Sequence, residues 1–262
     1  MLIGVCSLGG SPGVSTLALA MAAAWPEDQD RPLLVEADAS GGDVAAWRGR
    51  GSEVGLLSLA AQARNPRADG DAVVWEHTQP LQGGVPAVLA PAAPHRAEPC
   101  LWQLTQAVEV LRAPGTALLL DLGRMAPRSY GAWLAGRTDA LVVLASAEVA
   151  QIRRVCDCAE VLAALPERGT RVGLALAGAG MGGAEVAEQT GLQVWGRIPR
   201  DAVAADYIAG QREARPARMG RRPLLRGAAA LGERARGEHR TRQQRMRELI
   251  AAGQDRASGG DT

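Results

Sequence analysis

The stretch Leu2-Ile-Gly-Val-Cys-Ser-Leu-Gly-Gly-Ser-Pro-Gly-Val-Ser-Thr-Leu-Ala-Leu-Ala-Met21 runs from an apolar strand through a glycine loop into an alanine-rich helix opened by Ser15 and Thr16. A strand, loop and helix in this order aim backbone N–H groups and the positive end of the helix dipole at an anion, so the segment reads as a phosphate-binding loop. The loop pattern requires Gly-Lys-Ser/Thr at the helix start, where the lysine meets the β- and γ-phosphates. Here the triplet is Gly13-Val14-Ser15, so a valine stands where the charge belongs.

The missing charge is part of a wider pattern. The 262 residues contain no lysine; the whole Lys+Arg count of 29 is arginine, and Phe is absent too. A GC-rich coding bias accounts for this at surface positions. It does not account for Val14, because arginine was equally available. Net charge is only +1, yet from Gly210 onward thirteen arginines face six acids, a local excess of about +7 that leaves the rest mildly acidic. Hydrophobic residues make up 47%, enough for a sizeable core, but aromatics are only 3%, so that core must be Leu, Val and Ala. Cys6, Cys100, Cys156 and Cys158 form no C-x-x-C pair, so neither a zinc site nor a redox motif is signalled. The N-terminus reads as a strand without a charged leader, and no apolar run approaches the roughly 18–20 residues that span a bilayer. A cytoplasmic protein, at most peripheral to membrane or nucleoid, is expected.

Working outward from the loop, short apolar runs alternate with helical patterns. Strands are expected at 2–6, 32–36, 73–77, 85–90, 117–121, 140–145, 171–175 and 193–196, and helices at 15–25, 56–63, 98–112, 147–165, 183–190 and 202–210. Runs such as Ala117-Leu-Leu-Leu120 and Ala140-Leu-Val-Val-Leu144 are apolar on both faces, the mark of a parallel strand covered by helices. The fold class expected is α/β: a doubly wound, mostly parallel sheet flanked by helices over 1–210. A linker over 211–223 and an Arg-rich helical tail over 224–262, with a disordered end, are expected to follow.

Three further segments carry chemistry. Leu33-Leu-Val-Glu-Ala-Asp38 places Glu36 and Asp38 at the C-terminal end of a buried strand, the edge where open α/β sheets bind ligands. Leu118-Leu-Leu-Asp-Leu-Gly123 ends another such strand on Asp121, the arrangement that holds Mg²⁺ through water. Last comes Gly196-Arg-Ile-Pro-Arg-Asp201.

Taken in this order, the four segments resemble the ParA/MinD superfamily of deviant-Walker-A ATPases over about residues 2–210. The resemblance implies a P-loop fold, ATP or ADP with Mg²⁺, and a homodimer. Gly10, Gly13, Val14, Ser15 and Thr16 fall on its phosphate loop, with Ser15 and Asp121 on the Mg²⁺ side. Asp38 falls on the residue that orients the attacking water, and Pro199 and Asp201 on the segment beside the adenine. The irregular P-loops of the TadZ/CpaE branch make it the natural comparison.

The departures are as informative. Val14 replaces the loop lysine, Gly9 stands where the family's signature lysine reaches across the dimer, and Pro12 removes a backbone donor. Gly178 ends a strand where the family has an Asn touching the base. A hydrogen bond to a charged group contributes about 1.5–3 kcal/mol, so these losses weaken nucleotide binding by powers of ten. Cationic stabilisation of phosphoryl transfer is worth roughly 10³–10⁵ in rate. Unless an arginine substitutes, with Arg124 and Arg200 as candidates, turnover is very slow or absent.

The expectation is a positioning, scaffold or regulatory protein with a degenerate nucleotide site and protein partners in a partition, septum-placement or secretion and pilus system. Weak DNA or anionic-membrane contact would come from the Arg-rich tail. One alternative is an active ATPase of the same family using phosphate ligands other than lysine. A dinucleotide-binding domain is the other. Against it, the glycines give no clean G-x-G-x-x-G, and the Asp121 strand has no place in it.

Overall fold

The computed structural model describes residues 1–26, 31–64, 70–81, 84–112, 115–166 and 169–237. The strands are β1 (Leu2–Ser7), β2 (Arg31–Glu36), β3 (Gln79–Pro80), β4 (Pro86–Val88), β5 (Thr116–Arg124), β6 (Ala140–Ser146), β7 (Arg171–Ala177) and β8 (Val194–Ile198). They form one sheet in the order β3-β4-β2-β5-β1-β6-β7-β8, parallel throughout except for the β3–β4 edge pair. The chain leaves β1 past β5 to reach β2, and returns from β5 past β1 to reach β6. The order therefore reverses around β1, which puts the end of β1 at the switch point where such sheets open a crevice.

The continuous apolar strands are buried on both faces because each side chain alternates between two cores. Leu118, Leu120 and Leu122 enter one, with Leu141, Val143 and Ala145 of β6. Ala117 and Leu119 enter the other, with Ala140, Val142 and Leu144. The first core is covered by the helices Leu56–Gln62, Pro94–Gln106, Val149–Asp157 and Gly183–Thr190, and the second by Val14–Ala23 and Ala202–Ile208.

The second core is also covered by a helix over 223–237, at the start of the Arg-rich segment. Its Leu224, Leu225, Ala228, Leu231 and Ala235 are buried there, a spacing that keeps them on one helical face. Arg171 of β7 donates to the Ala235 carbonyl at its far end, and the Arg236 guanidinium lies 4.6 Å from the Trp25 ring centre. Residues 238–262, including the expected disordered end, lie outside the described residues.

Several expected elements differ. Residues 73–77 are not a strand: Gly70–Glu76 is a helix, with Val73 and Val74 buried in the first core. A short apolar run is the case in which periodicity does not separate a strand from a buried helical turn. The helix expected from Glu98 begins at Pro94, because Pro99 sits inside it rather than in its first turn. The long helix expected over 147–165 breaks at Cys158 into Val149–Asp157 and Ala159–Ala163.

Candidate functional site

Three parallel strands deliver the site. β1 runs into the glycine loop, β2 ends at Glu36 and β5 carries Asp121, which is paired in register with Glu36 on one side and Val5 on the other. At the loop's end Gly13 takes a left-handed φ of 98°, which turns the chain so that Val14 begins the helix. Ser15, in that first turn, faces the Asp121 carboxylate and lowers its pKa, and the Gly123 N–H donates to Asp121 Oδ1 at 3.0 Å. Asp38 lies against the same turn. The backbone N–H of Ser40 donates to its Oδ1 at 2.7 Å, and the Arg124 backbone contributes another hydrogen bond. Gly123, at a φ of 55°, is required: a Cβ there would overlap the Asp38 carboxylate.

Electrostatics make this a place that favours a cation. Burial pushes the Asp121 carboxyl up to about 6, with Asp38 and Asp43 adding repulsion against the lowering effect of Ser15 and Gly123. Asp38 is also raised, chiefly by burial. Glu36 is pushed up to about 7 by burial, although the Val44 and Ala90 N–H groups donate to its two oxygens at 3.0 and 2.9 Å. Those two hydrogen bonds make Glu36 a tie between β2 and its flanking loops rather than a free ligand. The oxygen-only donor set of Ser15 and Asp121 suits a hard divalent cation that keeps much of its water.

The phosphate side fits less well. Val14 is 7% exposed and belongs to the second core, so no charge issues from its position. Pro12 offers no N–H. Beside the loop, a cleft of ≈ 370 Å³ is walled by Ser11, Pro12, Gly13 and Thr16 on one side and by Pro199, Arg200 and Asp201 on the other, with Leu224 of the 223–237 helix as part of its lining. The expected residues Gly13, Thr16, Pro199 and Asp201 are thus brought together. The Asp201 side chain, however, is turned to structure. It accepts from the Ala204 N–H at 3.1 Å, from the Leu224 backbone and from Arg222.

Of the arginines near the site, Arg124 and Arg200 are expected from the sequence and a third is not. Arg124 is exposed beyond Asp121, and Arg200 lies over Gly178 and 4.0 Å from Glu148. Arg154, on the helix that follows β6, lies directly against Gly9 of the loop. No sequence motif announces it, since nothing in the sequence links residue 154 to the loop; only β6 lying beside β1 brings it there.

No protein-family model and no curated protein matches the chain. Solved structures do. A ParA family ATPase from Chlorobium tepidum superposes with a TM-score of 0.66 at 15% identity, covering 88% of this chain and 96% of that one. The chain has the ParA/MinD fold. The septum site-determining protein MinD of Pyrococcus horikoshii, solved with Mg-ADP, gives 0.66 at 15% identity, with coverages of 88% and 94%. McdA of Cyanothece, solved as an ATP complex, gives 0.66 at 16%, with coverages of 90% and 96%. Among the described residues, no helix of this ParA/MinD-fold chain is long and apolar enough to cross a membrane.

Proposed function

We propose that this chain is a ParA/MinD-type positioning or scaffold protein that keeps the nucleotide pocket of the fold, binds Mg-nucleotide weakly and turns it over slowly or not at all. The observation that carries this reading is the pairing of Ser15 with Asp121 at the loop–β5 junction beside a Val14 buried in the core. The cation-side chemistry is kept while the phosphate-side charge is lost. The neighbours solved with Mg-ADP and with ATP support a nucleotide as the ligand class.

In this reading Ser15 and Asp121 hold Mg²⁺, which when bound neutralises phosphate charge. Gly10, Gly13 and Thr16 present loop backbone and hydroxyl to the phosphates, and the cleft between Pro12 and Pro199 receives the base. Asp38, fixed by Ser40 and Arg124, stands where an attacking water would be oriented. Without a lysine in the loop opposite it, that water gains little. The protein would act as a homodimer and hand its state to protein partners of a partition, division or secretion system at the cytoplasmic face of membrane or nucleoid.

Calorimetry with Mg-ATP tests this. Affinity in the high-micromolar range or weaker is expected from the missing charged contacts, roughly 1.5–3 kcal/mol each. Low-micromolar binding with turnover abolished by Asp38→Ala would favour an active ATPase instead.

A further inference from the structure

The phosphate loop has lost its own cation, but the fold brings one to it from elsewhere. A Cβ built on Gly9 would lie 2.5 Å from Arg154 Cδ and 2.9 Å from both Arg154 Nε and Nη1. The guanidinium therefore occupies the space that a side chain at position 9 would need. Next to it, the Gln151 amide lies over Gly10, again in the space of the absent Cβ. Gln151 and Arg154 are three residues apart on the helix Val149–Asp157, so they share a face. Ile152 and Val155, each 1% exposed, anchor that helix in the first core. The arginine is exposed, and no acid among the described residues holds it: the neighbouring Arg153 takes Asp157, at 3.0 Å, and Arg200 is the residue near Glu148. An arginine with no carboxylate partner, resting on a loop built to receive anions, is placed to meet the anion itself.

We propose that Arg154, with Gln151 beside it, is the polyphosphate-binding side-chain pair of this site, the charge having moved from the loop to the helix after β6. The two bare glycines are what admit it. Any long side chain at position 9 would contest the volume that Arg154 fills, so a loop cation at 9 and Arg154 exclude one another. The guanidinium forks onto phosphate oxygens through two N–H groups, and the Gln151 amide adds a neutral donor. This assignment rests on the nucleotide-site reading above and names which residues recognise its phosphates.

The test is titration of the full chain with Mg-ATP, Mg-ADP and inorganic tripolyphosphate, comparing wild type with Arg154→Ala, Arg154→Lys and Gly9→Lys/Arg154→Ala. Arg154→Ala should weaken all three ligands by at least about tenfold, the lower end of one charged hydrogen bond. Arg154→Lys should fall between, keeping the charge but not the fork. Gly9→Lys/Arg154→Ala should recover part of the loss, because the vacated volume then takes a loop lysine. Equal binding by wild type and Arg154→Ala would overturn the assignment while leaving the nucleotide site standing. Tighter binding by Arg154→Ala would overturn it as well, making the arginine a plug. Absence of binding by wild type to any of the three would instead remove the nucleotide-site reading, and this assignment with it. Arg154 is exposed, so circular dichroism should show every variant folded.

Discussion

The Arg222 guanidinium is clasped on the Asp201 carboxylate, its Nε 3.2 Å from Oδ1 and 3.0 Å from Oδ2. The same carboxylate caps the helix Ala202–Ile208 through Ala204 and takes a backbone hydrogen bond from Leu224. One side chain, 1% exposed, thus joins the far wall of the cleft beside the glycine loop to the start of the 223–237 helix. Arg222, hydrogen-bonded to it, is the main cause that holds the Asp201 carboxyl below its ordinary value.

Replacing Arg222 by Ala leaves a buried carboxylate with only backbone donors, which destabilises the fold. Solvent reaches the arginine and screens the pair, so the loss should be smaller than for an ion pair enclosed on both sides. Urea unfolding of wild type and Arg222→Ala measures it: the midpoint should fall while the slope stays the same. Coincident curves would show that the Ala204 and Leu224 hydrogen bonds suffice alone.

The acids of the site make stability fall as pH rises. Glu36 and Asp121 have folded values of about 7 and about 6, above their ordinary 4.5 and 3.8. The folded state therefore holds protons that the unfolded state releases. Their stabilising contribution is full below the ordinary values, and is lost between about pH 4 and 7, as each folded value is passed. In denaturant titrations without added Mg²⁺, Asp121→Asn should flatten the slope between about pH 4 and 6. It should also remove any stabilisation that Mg²⁺ gives at pH 8. An unchanged slope would mean that Asp121 is already ionised when folded.

Val14→Lys separates the charge of the loop from its shape. Val14 sits in the second core at the first helical turn, so a lysine must carry its stem along apolar surface to reach the loop. A stability loss of about 1 kcal/mol is expected from the disturbed packing. Mg-ATP affinity should nonetheless rise at least about tenfold, equivalent to roughly 1.4 kcal/mol. No gain in a folded variant would mean that a lysine stem from position 14 does not reach the phosphate side of the loop.

Much of this architecture is legible in the sequence, and the exceptions have physical causes. β1, β2, β5, β6 and β7 are readable because strands buried on both faces are long apolar runs. The positions of Asp38 and Asp121 near strand ends, and of Ser15 at the start of the first helix, are readable because an apolar run leads into each acid and the glycine loop leads into the hydroxyl. Residues 73–77 mislead because a short apolar run suits a helical turn as well as a strand. Arg154 and Arg222 are not legible at all. Each acts through a partner far away in sequence, Gly9 and Asp201, and only the strand order and the packing of the last helix bring them together.

The 223–237 helix should be required for folding. Leu231 is 1% exposed among Trp195, Ile198 and the residues of the second core. Leu231→Ala should cost about 2–4 kcal/mol, as removal of a buried leucine does when its cavity only partly collapses. A chain ending before Leu224 should not fold cooperatively, whereas one ending after Gly237 keeps every described core residue. Cooperative thermal unfolding of the shorter chain would show that the sheet closes its second face without this helix.

The remaining expectation concerns charge. A concavity of ≈ 690 Å³ is lined by Arg212, Arg215, Arg218, Arg221 and Arg222, with Glu213 the acid beside them. Arg215, Arg218 and Arg221 are exposed, and Arg222 is engaged by Asp201. This basic surface lies within the described residues, ahead of the arginines beyond 237. It offers a place ahead of the Arg-rich tail for weak, sequence-independent contact with polyanions, made by charge alone since no aromatic side chain lines it. Binding of duplex DNA should weaken steeply with salt. The triple variant Arg215→Ala/Arg218→Ala/Arg221→Ala should lower the log–log salt slope by about 2–3, at roughly 0.9 for each phosphate no longer neutralised. Anionic vesicles run alongside show whether the surface prefers a lipid array to a duplex. A chain ending after Gly237 should retain most of the effect. If the slope is unchanged in the triple variant but collapses in the truncated chain, the polyanion contact belongs to the last 25 residues of the sequence rather than to this concavity.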